Sequence, residues 1–84
     1  MVSVEMIILK SAKKHGISDF DINYVFNNAI NSIRLDEFPQ KVMLFGFDSK
    51  GRALEVGYIT NDNDEIIIIH AMKLRKCYRE YLLI

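Results

Sequence analysis

Two periodicities of hydrophobic residues divide the chain. In its first third, Ile22, Val25, Phe26, Ala29, Ile30 and Ile33 recur every three or four positions and leave Asn23, Asn27, Asn28 and Asn31 on the opposite side. That spacing predicts a helix, with Ser18 placed to cap its start. An earlier helix is predicted from Ser3 to about Lys14, carrying Met6, Ile7, Leu9 and Lys10. Gly16 follows it where a left-handed C-terminal residue is wanted. After the polar connection Asp36–Lys41, which holds the only proline, Pro39, the period falls to two. Val42–Phe47 reads as a strand, Asp48-Ser49-Lys50-Gly51 as a turn, and Arg52–Thr60 as a returning strand with Leu54, Val56 and Tyr58 on one face. Asn61–Asp64 is a second polar turn. Four consecutive isoleucines, Ile66–Ile69, then form a strand too short to span a membrane and covered on both faces or nearly so. The last segment places Leu74, Cys77, Tyr78, Tyr81 and Leu82 at helical spacing. The expectation is an α+β single domain over residues 1–84, in the order ααβββα. Two N-terminal helices and a C-terminal helix pack on a three-stranded antiparallel sheet, with Ile22, Val25, Phe26, Ala29 and Ile30 facing Leu54, Val56 and Tyr58.

Composition narrows the setting. At 84 residues, half of them hydrophobic, the chain can bury a core of its own. A single cysteine, Cys77, excludes an internal disulfide, and Cys77, His15 and His70 are too few and too scattered for the usual metal sites. We expect a reducing, cytoplasmic setting, no export signal, no membrane span and no cofactor. Eleven Lys and Arg balance eleven Asp and Glu, but the distribution is uneven. Lys10–His15 holds three lysines and no acid, and His70–Ile84 holds Lys73, Arg75, Lys76 and Arg79 against Glu80. If these two ends meet in space they form a patch able to hold phosphates; if not, they are two solvated faces.

Candidate chemistry gathers at the end of the isoleucine strand. Strict alternation places His70 on the face of Ile66 and Ile68, one step nearer the strand's end, where an imidazole is either a proton carrier beside cations or a structural cap. His15 either meets the carbonyls at a helix C-terminus or joins a site. Glu55 stands mid-strand opposite Leu54, Val56 and Tyr58, so that face is either wet or a site in which a carboxylate acts as a base. Arg52 after the hairpin turn is a solvated charge or a phosphate holder. Tyr78 and Tyr81 lie on an apolar stripe, which favours a core role, although their hydroxyls could reach a bound base or phosphate.

The succession Lys14-His15-Gly16-Ile17, Val25-Phe26, Gly51-Arg52-Ala53-Leu54-Glu55-Val56-Gly57-Tyr58 and Ile67-Ile68-Ile69-His70-Ala71-Met72-Lys73 resembles the BrnT-like toxins of bacterial type II toxin–antitoxin modules, within the wider RelE-like ribonuclease group. The resemblance runs from about residue 10 to 81. It implies a compact sheet with helices against it, endoribonuclease activity needing no metal, translation as its target, and a cognate antitoxin, encoded nearby, that masks the active surface. Lys14 and His15 match the family's Lys-His-Gly signature, and Arg52 matches the arginine after the hairpin glycine. Where the family commonly has Ile-Ser-Ala-Arg, this chain has Ile69-His70-Ala71-Met72. The usual arginine is missing: either Lys73 or Arg75 supplies the lost cation and His70 a proton carrier, or the change means weaker cleavage, a different substrate, or none. The resemblance implies RNA, free or ribosome-held, as the substrate and carries over Lys14, His15 and Arg52; joined to the candidates read from the residues themselves, this gives His70, His15, Glu55 and Arg52 as the expected catalytic groups and Lys14, Lys73, Arg75 and Tyr78 as the expected RNA-binding groups. The alternative is a non-catalytic module whose cationic last helix docks an acidic protein.

Overall fold

The structure is a computed structural model that describes residues 5–35 and 38–84. Its frame is one five-stranded mixed sheet in the order β1-β5-β4-β3-β2. The strands are β1 (Met6–Ile8), β2 (Asn31–Leu35), β3 (Lys41–Phe47), β4 (Ala53–Thr60) and β5 (Ile66–Lys73). One α-helix, α1 (Asp19–Asn28), and two 3₁₀ segments, Lys10–Lys13 and Lys76–Leu82, complete it. The expected three-stranded antiparallel sheet with three helices is therefore corrected. The antiparallel β3–β4–β5 run is present, but only as the centre of a larger sheet.

Both edge strands arise where helix was expected. Ser3, the expected first cap, lies outside the described residues. Met6–Ile8 pairs parallel to β5, Met6 opposite Ile66 and Ile8 opposite Ile68, and so covers an edge of the isoleucine strand that would otherwise stand open. The 3₁₀ turn that follows buries Ala12 and ends before Gly16, whose φ of +77° is the left-handed conformation expected of it.

Helix α1 begins as its sequence predicts, with Ser18 Oγ accepting from the Asp21 N–H at 3.1 Å. It stops five residues before Ile33. Ala29 is extended, the Ile30 N–H donates to the Phe45 carbonyl at 2.8 Å, and Asn31–Leu35 becomes β2 against β3. Ile33 fits a helical stripe at three residues from Ile30 and also a strand face at two residues from Leu35. Pairing with β3 supplies ladder hydrogen bonds that a terminal turn of asparagine, serine and β-branched residues would not hold as well.

Each face of the sheet carries its own core. Ile22 and Val25, with Phe26, pack against Leu44, Leu54, Val56, Ile68 and Ala71, with Tyr58 at the margin, while Ile30 is exposed. On the other face Met43, Phe45 and Leu82 are buried with Ile33, Leu35, Phe47, Tyr78 and Tyr81 around them. The C-terminal segment has the 3₁₀ repeat of three residues per turn, which aligns Tyr78 with Tyr81. Both rings then meet Phe45, Tyr81 stacked at 4.8 Å and Tyr78 at 5.1 Å between centroids. Cys77, expected on the packing stripe, is exposed.

Candidate functional site

Glu55 is fully buried on β4, on the face opposite Leu54 and Val56. The pairing puts Phe45 on one side of it and Met72 on the other. A charge in that position requires hydrogen-bonded partners. Its Oε2 lies 2.8 Å from His70 Nε2 and accepts from Arg75 Nη2 at 2.7 Å and Nε at 3.0 Å. Its Oε1 accepts from the Arg75 backbone N–H at 2.9 Å. Burial works against the charge, but the Arg75 side chain, the Arg75 N–H and His70 together outweigh it and hold the carboxyl below the ordinary glutamate range. Hydrogen bonding to Glu55 in turn raises the Arg75 pKa. Glu55 is thus an enclosed acceptor, with no accessible surface from which to take a substrate proton.

His70 reaches that carboxylate because β5 is irregular. Tyr58 pairs with Ile68, whereas Gly57 pairs with His70, leaving Ile69 as an extra residue in β5. The bulge reverses the alternation beyond it. Ile68 and Ala71 both enter the core under α1, and His70 turns to the face of Glu55, opposite the expected side with Ile66 and Ile68. Gly57 leaves the room: a Cβ there would stand 2.9 Å from Met43 Sδ and 3.3 Å from His70 Cβ.

His15, exposed just beyond the first 3₁₀ turn, brings its ring edge to His70, with centroids 6.2 Å apart and planes at 74°. The two sequence ends rich in cations are therefore linked in space through His15, His70, Glu55 and Arg75. The Arg75 guanidinium carbon sits 5.3 Å from the centre of the Tyr78 ring, so that ring is a floor for Arg75 and part of the Phe45 cluster. Lys14 is exposed beside His15 in the chain.

Two expected site residues lie elsewhere. Lys73 pairs with Leu54 and by alternation belongs to the face of Ala71, away from Glu55 and His70. Arg52 is committed to buried carboxylates: its Nε donates to Asp48 Oδ2 at 2.6 Å, and Nη2 approaches Asp21 Oδ2 at 3.4 Å. Asp48 also accepts from the backbone N–H groups of Lys50 and Arg52, and Asp21 from Ser49 Oγ. For Asp48 burial is outweighed by the N–H groups of Arg52 and Lys50 and by the Arg52 side chain; for Asp21 the Ser49 hydroxyl leads. Both carboxyls are held below their ordinary range. This cluster ties the β3–β4 turn to the start of α1, and two carboxylates there offset the single guanidinium.

Sequence reasoning passed over Asp21 and Asp48. An aspartate opening a four-residue turn that ends in glycine was a usable signal for Asp48. Among the described residues no cluster of three or more His, Cys, Asp or Glu is arranged to hold a metal ion, and no helix is long and apolar enough to cross a membrane. Comparison of the chain with protein-family models, curated proteins and solved structures found no match.

Proposed function

We propose that the protein is a cytoplasmic endoribonuclease of the BrnT-like kind, the toxin half of a toxin–antitoxin pair, cleaving RNA by attack of the substrate's own 2′-hydroxyl. The observation that carries the reading is the pairing of two imidazoles at the edge of the sheet, one of them bonded to a buried carboxylate beside an arginine. Attack by the 2′-oxygen on phosphorus with departure of the 5′-oxygen needs no protein nucleophile. It needs one group to take the 2′ proton, one to give a proton to the leaving oxygen, and cations to hold the phosphoryl oxygens. His70 takes the first proton and His15 supplies the second. Lys14 holds the anion together with the N–H groups that Arg75, half exposed, does not spend on Glu55. The products are a 2′,3′-cyclic phosphate and a 5′-hydroxyl.

The reading is supported further by the Lys14-His15-Gly16 motif, which resembles the family's signature. Arg52 and Lys73 drop out of the site and Glu55 loses the part of a base. The cognate antitoxin is expected to cover the His15–His70 patch. The experiment is single-turnover cleavage by antitoxin-free protein, on RNA with and without ribosomes, in the presence of a chelator. His70→Gln and His15→Gln should each lower the rate by about 10² to 10⁴ with the circular dichroism spectrum unchanged, the range for losing a general acid or base. A 2′-deoxy substitution at the cleaved position should abolish it. Either histidine variant cleaving at the wild-type rate, or a wild type inert on both substrates, overturns the reading.

A further inference from the structure

We propose that Glu55 is the positioning residue of this site, holding His70 through its Nε2–H so that the proton is exchanged at Nδ1. The inference rests on the RNA-cleavage reading above. It goes beyond that reading by naming the reactive nitrogen and the group that selects it.

A neutral imidazole carries one proton on either of two nitrogens, and its unprotonated nitrogen is the one able to act as a base. In solution both tautomers exist. Here the choice is made by the partner. An ionised carboxylate only accepts hydrogen bonds, and Glu55 Oε2 lies 2.8 Å from Nε2, so that nitrogen must carry the proton. The carboxylate is kept ionised by the Arg75 fork and the Arg75 N–H, which occupy both of its oxygens. Nδ1 is left with its lone pair. The His70 side chain keeps about a quarter of its surface in solvent, 24%, while Glu55 keeps none. His70 therefore offers a substrate some side-chain surface, and the carboxylate offers none.

The bulge at Ile69 and the absence of a side chain at Gly57 are what aim His70 at Glu55. The division of labour follows the logic of a base oriented by a buried acid. Glu55 does not touch the RNA. As His70 takes the 2′ proton and becomes an imidazolium, the carboxylate beside it stabilises the new charge.

The test has two arms. In the first, ¹⁵N-histidine-labelled wild-type protein without RNA is examined by long-range ¹H–¹⁵N NMR above the titration of its histidines. The two histidines are assigned with His15→Gln. His70 should appear as the Nε2–H tautomer, and in Glu55→Gln as a mixture. In the second, Glu55→Gln should lose about 10²-fold or more in single-turnover cleavage, as expected for a base released from its tautomer. The double variant Glu55→Gln/His70→Gln should be no slower than His70→Gln alone, because the two residues act as one unit. A purely structural glutamate would give additive losses. An Nδ1–H tautomer in the wild type, undiminished cleavage by Glu55→Gln, or additive losses in the double variant overturns the role of Glu55 and leaves the RNA reading standing. A wild type that cleaves no RNA overturns that reading itself, whatever the tautomer. The wild-type tautomer measurement requires no variant to fold.

Discussion

Replacing Gly57 by alanine tests how the site is seated in the sheet. The added Cβ would lie 2.9 Å from Met43 Sδ, 3.3 Å from His70 Cβ and 3.9 Å from Ile69 Cγ1. The first distance is inside any normal carbon–sulfur contact, so something must move. Met43 is itself buried and the thioether lies within its side chain, with a methyl group still beyond it, so relief requires a rotamer change inside a packed cluster. Overpacking of this kind costs about 1–3 kcal/mol. Two terms compete. Alanine restricts the unfolded chain and returns about 0.4–1 kcal/mol where the native backbone suits it, as it does here, since Gly57 is not among the positive-φ glycines. The net expectation is a loss of about 1–2 kcal/mol, read as a lower urea midpoint at unchanged slope. Shortening Met43 as well should make the double variant more stable than the sum of the single effects predicts, by about 1 kcal/mol. The wild-type midpoint for Gly57→Ala, or strict additivity with Met43→Ala, would refute the argument that His70 is seated by this gap.

Two further outcomes follow from the buried carboxylates. Arg52→Ala should destabilise the fold by about 1–3 kcal/mol, less than a fully buried pair because the Arg52 side chain is 44% exposed, by leaving Asp48 and Asp21 facing each other. Thermal unfolding reads this directly, and an unchanged Tm with lost RNA cleavage would return Arg52 to the phosphate. Stability should also fall in acid. Glu55, Asp48 and Asp21 have folded pKa values below their ordinary 4.5, 3.8 and 3.8, so their contribution is complete above those values and is lost as pH drops through the lower folded ones. Urea midpoints between pH 7 and pH 2 check the sign, and a midpoint that rises on acidification contradicts it.

Much of the centre of the fold is written locally. Asp48–Gly51 and Asn61–Asp64 mark the two turns of the antiparallel run, Ser18 marks the start of α1, and the alternation of Leu54 and Val56 marks the face that meets Ile22 and Val25. The edges are not. Met6–Ile8 is three residues whose extended state is selected by a partner sixty positions later, and Ile33 satisfies two periods at once. Glu55 and His70 were each visible as candidates, but their contact was not. The bulge falls at the end of an unbroken run of isoleucines and its one signal, the mid-strand Gly57, stands on the partner strand, while a shift of one residue moves every later side chain to the other face. The reassignment of Arg52 has the same origin, because one of its two carboxylates comes from a helix thirty-one positions earlier.

The parallel contact of β1 with β5 also sets an order of events. Met6 waits for Ile66, and His15 waits for His70, so neither the sheet's first edge nor the paired imidazoles can exist until β5 has been made. Closing so long a loop costs entropy before any contact repays it, which places this step late in folding. During synthesis, residues 41 to 60 can already form their hairpin while the histidine of the N-terminal segment has nothing to face. A chain released between β4 and β5 carries Glu55 without His70. Whatever chemistry the patch performs is thereby confined to chains whose synthesis has passed β5.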